Sequence, residues 1–134
     1  MERYVGRGAL CAFCFSSVAL YLPSSACAVV LSEVLYDATG SDAGKSFVEL
    51  YGTPGTNLSG WSLRGVNGGD GAVYKTVTLS GIIPLDGVFV IGDLASGTTL
   101  VPNADQLISV DFQNGPDSIQ LYNGSVLVDA LGHG

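Results

Sequence analysis

Short apolar runs about ten residues apart, each closed by a turn cluster, predict an all-β sandwich or barrel for this chain. Two further observations point the same way. No stretch sustains the 3.6-residue apolar period of an amphipathic helix. Several runs instead alternate apolar and polar residues, the period-two pattern of strands with one buried face.

In chain order the first element is not a strand. Arg3 and Arg7 precede an uncharged apolar run, Ala9–Leu22. Pro23, Ser24 and Ser25 then break any helix, and Ala26-Cys27-Ala28 offers small residues at the positions a signal peptidase reads. Residues 1–28 therefore read as a signal peptide cut after Ala28, with 29–134 as the domain. The run is short of the roughly 20 residues that span a bilayer, which argues against an uncleaved anchor. Lipidation at Cys27 is the other alternative and would tether the product to a membrane; Ser25-Ala26-Cys27 fits it, Ser24 does not. All three cysteines, Cys11, Cys14 and Cys27, fall in the leader. The exported domain must then be held by its core and not by disulfides.

The predicted strand runs are Val30–Tyr36, Ser46–Tyr51, Gly60–Leu63, Val73–Leu79, Val88–Ile91, Leu107–Phe112, Ser118–Tyr122 and Val126–Leu131. Between them lie Gly-, Asn-, Asp-, Pro-, Ser- and Thr-rich segments whose residues preset or tolerate turn dihedrals. In Val73–Leu79, alternation puts Val73, Lys75, Val77 and Leu79 on one face and Tyr74, Thr76 and Thr78 on the other. In Ser118–Tyr122 it turns Ile119 and Leu121 one way and Ser118 and Gln120 the other. Asn123-Gly124 between two such runs predicts a hairpin with a type I′ turn. Asp93–Asp105 is the longest connection and is expected to be mobile.

The domain is acidic. Removing the leader leaves Lys45, Arg64 and Lys75 against eleven carboxylates, a formal charge of −8. Such a surface disfavours direct nucleic-acid binding, which runs on lysine and arginine contacts to phosphate.

Leu58-Ser59-Gly60-Trp61-Ser62-Leu63, with Ser32–Tyr36 and Phe47–Tyr51 before it, resembles the lamin tail domain. The resemblance continues through Ile83–Ile91, Gly115–Leu121 and Val128-Asp129, covering nearly all of residues 29–134. It implies an immunoglobulin-like antiparallel β-sandwich, and a bacterial-type exported protein in which such a domain serves as an accessory module, alone or beside nucleases and other hydrolases. Two departures stand out. Gly52-Thr53-Pro54-Gly55 replaces an asparagine the family commonly carries. The sequence also stops at Gly134, where such domains usually add a strand, so either the chain is truncated or the last strand is absent. A missing strand would leave an unpaired edge.

Candidate functional residues are few. Trp61 reads as a core anchor, and Tyr36, Tyr51, Phe89 and Phe112 as core or strand-face residues. His133, the sole histidine, reads as a solvated tail residue and not a general base. Glu33 and Glu49 are the pair a glycosidase would need, but alternation predicts that they face solvent or pair with Lys75 or Arg64. Asp37, Asp42, Asp70, Asp117 and Asn67 sit in glycine-rich loops and are candidate calcium ligands, without EF-hand or nonapeptide spacing. Gly65–Gly71 resembles a phosphate cradle only in its glycines. No catalytic, cofactor-binding or metal-binding residue is assigned.

The expectation is a secreted or cell-surface, non-enzymatic interaction or structural module that binds a protein or a cell-surface glycan. It touches the membrane only through its leader or a lipid on Cys27. The alternatives are a calcium-stabilised surface domain and the accessory N-terminal part of a longer secreted hydrolase or nuclease.

Overall fold

The alternating runs become eight strands in the computed structural model, which describes residues 28–134. Residues 1–27, and with them all three cysteines and the question of lipidation at Cys27, lie outside those described. In order the strands are β1 (Val30–Leu35), β2 (Phe47–Tyr51), β3 (Trp61–Asn67), β4 (Val73–Thr78), β5 (Val88–Gly92), β6 (Gln106–Leu107), β7 (Asp117–Asn123) and β8 (Val126–His133). They form two four-stranded sheets, β1-β2-β5-β6 and β4-β3-β7-β8. No helix occurs among the described residues, and so none is long and apolar enough to cross a membrane. The fold is an all-β sandwich of immunoglobulin-like character. Every pairing is antiparallel except β5 with β6, which run parallel.

The core lies between the sheets because each strand alternates. Val48, Leu50, Phe89 and Ile91 come from one sheet, and Trp61, Leu63, Val77, Ile119 and Leu121 from the other. Leu58, Leu79, Ile83, Val110 and Phe112 close it from the connections. Trp61, Phe89 and Phe112 are thus core residues, whereas Tyr51 is exposed on its strand face. Val29 is also buried, so the chain enters the core one residue after the predicted cut. Burial of side chains of this size is the main stabilising term, at about 1.5–3 kcal/mol each.

Four expectations are corrected. Of the run Leu107–Phe112 only Leu107 is laddered, as the end of β6; Val110 and Phe112 are buried from the connection that follows. Burial alone made that run look like a strand. In β4, the pairing steps from Gly65 opposite Lys75 to Val66 opposite Val73, so Tyr74 is an extra, bulged residue. The bulge reverses the phase of the strand there. Tyr74 therefore packs against the core instead of sharing a face with Thr76 and Thr78.

The hairpin is present, but its turn lies one residue later than predicted. Asn123 pairs with both Trp61 and Val126, which leaves Gly124-Ser125 as the loop. Only Gly124 takes a positive φ, 58°, so the turn follows the glycine-first pattern of type II′ and not type I′. The Gly124 amide donates to the Gly60 carbonyl at 3.0 Å, tying the turn to the segment before Trp61.

His133 is the fourth correction. It ends β8 opposite Asp117, half-buried, and its ring stacks on Tyr36 at 3.8 Å. Pairing with β7 orders this segment. Two devices meet on the same strand. Val128 is an extra residue opposite β7, and Asp129 lies opposite the buried Leu121. The Asp129 carboxylate accepts the Leu31 amide of β1 at 2.8 Å, linking the edges of the two sheets. A bulge and an inward carboxylate are how natural sheets blunt an edge strand.

Candidate functional site

On the outer face of the first sheet, register decides which side chains meet. Glu33 of β1 stands opposite Glu49 of β2, and Glu49 opposite Val90 of β5. The next row sets Leu35, Phe47 and Gly92 side by side. Ser32 is the extra residue of β1, and its hydroxyl donates to Glu49 Oε1 at 2.7 Å. Glu33 and Glu49 thus form a cross-strand pair of like charge, an arrangement that destabilises a sheet unless something neutralises it. Neither base predicted to pair with them is in this sheet. The Arg64 guanidinium lies 3.8 Å over the Tyr122 ring, and the Lys75 ammonium donates to Ser109 Oγ and to the Asp111 carbonyl at 3.1 and 2.7 Å.

The connection Asp93–Asp105 turns back toward this face and makes a wall beside the pair. A Cβ on Gly92 would lie 3.0 Å from both the Val101 and Ala104 Cβ atoms, so the lack of a side chain there lets the connection pass close to the sheet. The segment expected to be mobile is hydrogen-bonded to the rest of the domain at Asp93, Leu94, Leu100 and Asp105. Asp93, 2% exposed, accepts the Gly44 amide at 2.8 Å through Oδ2 and the Val110 amide at 3.1 Å through Oδ1. The Leu100 amide donates to the Gly44 carbonyl, Ala95 and Thr98 exchange two backbone bonds, and Asp105 takes the Val90 amide at 2.8 Å. A buried carboxylate with two amide donors is a strong local anchor.

The result is a concavity of about 350 Å³. Glu33, Glu49 and Lys45 supply its charged lining, and Phe47, Val90, Leu100, Val101 and Pro102 its apolar lining. Its volume is at the small end of ligand sites, and the mixture of apolar wall with a few convergent polar groups is what such sites share. The Lys45 ammonium donates to the Thr39 carbonyl at 3.0 Å.

The five candidate calcium ligands do not come together as one group. Asp42 accepts the Ala38 amide at 2.8 Å, and Asn114 Nδ2 bridges Asp37 and Asp42 at 3.3 and 3.4 Å. Asn67 and Asp70 accept the Gly69 and Ala72 amides in local turns, and Asp117 accepts the Gly68 amide at 3.2 Å. Among the described residues no three His, Cys, Asp or Glu side chains are grouped to hold a metal ion. Gly65–Gly71 spans the end of β3 and its turn into β4, where the glycine-rich loop is closed by Asn67 and Asp70.

A second, smaller concavity of about 240 Å³ lies among Tyr36, Asp37, Asn114, Gly115, Pro116 and Gly134. Near it, Asp117 is 6% exposed and its Oδ2 makes no hydrogen bond; both His133 ring nitrogens are likewise shielded and unpaired. The Tyr74 hydroxyl accepts the Gln113 amide at 3.2 Å. Burial first, and then the nearby Asp117 carboxylate, raises its pKa above the ordinary phenol value, against the lowering effect of that amide. Asp111 is raised from the ordinary carboxylate value by desolvation first and then by Asp93, with Lys75 opposing.

Sequence reasoning singled out Glu33 and Glu49 but missed Phe47, Val90 and Leu100–Pro102 as their neighbours. Neither a scan against protein-family models nor a search of curated proteins returns a match to this chain.

Proposed function

We propose that this chain is a non-enzymatic exported interaction module of lamin-tail-domain type. It docks a protein or cell-surface component in the concavity on the outer face of its first sheet. One observation carries the reading: the Glu33–Glu49 pair, Lys45 and an apolar wall share one concavity, and the wall is tied through the Leu100 amide to Gly44, whose own amide donates to Asp93. A wall held by hydrogen bonds has less freedom to lose when it binds, which lowers the cost of association. Export rests on the leader, and the lamin-tail assignment on the order of the segments from Ser32 to Asp129.

A glycosidase reading has one observation in its favour, since two carboxylates stand opposite each other on one face. Against it, Glu33 is exposed, whereas the acid of such a pair needs an apolar, partly dry pocket to hold its proton near neutral pH.

Retention of the purified exported chain on envelopes of the cells that export it tests the proposal. Leu100→Asp on the wall should abolish retention. Leu85→Asp, at a loop position 94% exposed and away from the concavity, should not. Equal retention of the two variants, or polysaccharide hydrolysis that Glu49→Gln abolishes, would overturn it.

A further inference from the structure

The lining of the concavity is divided. Glu33 and Glu49 occupy the β1–β2 side, together with Lys45, whose ammonium donates to the Thr39 carbonyl, while Val90 and the turn-back of the Asp93–Asp105 connection make the opposite, apolar side. Ser32 fixes one oxygen of Glu49. The β1–β2 side thus offers adjacent carboxylates that repel each other, and the other side offers hydrocarbon. A group complementary to both is an alkyl stem ending in a cation, the chemistry of a lysine or arginine side chain. Approach of one cation relieves the Glu33–Glu49 repulsion, so occupancy removes a cost that the free sheet carries. The formal charge of −8 over residues 29–134 extends the same preference to the encounter.

We infer that the concavity receives a lysine or arginine side chain of a basic protein partner, its stem against Phe47 and Leu100 and its head between Glu33 and Glu49. The inference rests on the docking reading above and names the partner's chemistry. A second copy of the domain fits less well. Its cations within residues 29–134 are already engaged: Lys45 by the Thr39 carbonyl, Arg64 by Tyr122, and Lys75 by Ser109 and Asp111. A neutral glycan would bring no counter-charge to the two carboxylates.

Titration of the isotope-labelled exported chain with Nα-acetylarginine amide, followed by amide chemical shifts, tests the inference. The amides of Glu33, Glu49 and Leu100 should shift saturably. The uncharged norleucine amide should bind about tenfold more weakly, the loss of one charge-assisted contact. Raising the salt should narrow that gap, because the carboxylates are accessible to ions. Glu33→Gln with Glu49→Gln should erase the preference for arginine while leaving shifts elsewhere unchanged. Equal binding of norleucine amide would overturn the cation assignment and leave docking intact. Shifts with N-acetylglucosamine in place of arginine would overturn it in favour of a glycan. If no probe moves these amides the inference fails, and the docking reading is then decided separately by envelope retention of Leu100→Asp against Leu85→Asp.

Discussion

Replacing Asp93 by alanine removes both acceptors that hold the connection after β5 to the rest of the domain. The carboxylate is buried, and it takes the Gly44 amide at 2.8 Å and the Val110 amide at 3.1 Å. Hydrogen bonds to a charged group contribute about 1.5–3 kcal/mol each, which brackets the loss at about 3–6 kcal/mol. The buried charge also carries a desolvation cost that alanine removes, so the low end, about 3 kcal/mol, is expected. For a domain of this size that lowers Tm by about 12–24 °C. Urea unfolding followed through Trp61, the only tryptophan, gives the free energy directly. The midpoint should fall without a change of slope, and Asp93→Asn, which keeps one acceptor, should fall between. The loss should also reach the concavity, because Gly44 in turn accepts the Leu100 amide. Amide exchange at Leu100 should therefore quicken in the variant. A loss below about 1 kcal/mol, less than a single ordinary hydrogen bond, would refute the anchoring argument.

Four further outcomes follow from particular contacts. Asp111→Asn should raise Tm modestly at pH 7. The folded state raises this group's pKa, so the folded state binds more protons than the unfolded one, and ionisation above the ordinary carboxylate range disfavours folding. The gain should vanish in acid, where both states are protonated; thermal melts at pH 7 and pH 3 check this. Gly92→Ala places a Cβ 3.0 Å from Val101 and Ala104, and calorimetry should show a loss of about 1–3 kcal/mol as the wall shifts. Phe89→Ala, in the middle of the core, should cost about 3–5 kcal/mol in the same assay. Asp129→Ala unpairs the Leu31 amide and removes the inward charge from β8, so light scattering should detect more self-association than in the parent chain.

Local patterning was readable where it was uninterrupted. Ile119 and Leu121 face the core, with Ser118 and Gln120 on the other face, as alternation predicted, and Trp61 is a core residue. Pairing was not readable, because alternation tells which face a side chain takes but not which strand lies beside it. That is why Glu33 and Glu49 were expected to face solvent or to pair with Lys75 or Arg64: Glu33 is exposed, but those bases belong to the other sheet. Bulges hide for a related reason. One extra residue at Tyr74 reverses the phase, and only the partner strand reveals it. The wall was hidden longest, since Leu100, Val101 and Pro102 carry no motif. They lie close to the sheet because Gly92 has no side chain and because Gly44, bonded to Asp93, accepts the Leu100 amide, and none of these residues reads in sequence as more than loop.

The docking face is tested most directly by photo-crosslinking on intact cells that export the chain. The reactive group is placed either at Leu100 on the concavity or at Tyr122 on the outer face of the other sheet. A discrete adduct is expected from position 100, suppressed by excess Nα-acetylarginine amide, and none from position 122. An adduct from position 122 alone, or equal adducts from both, would contradict it.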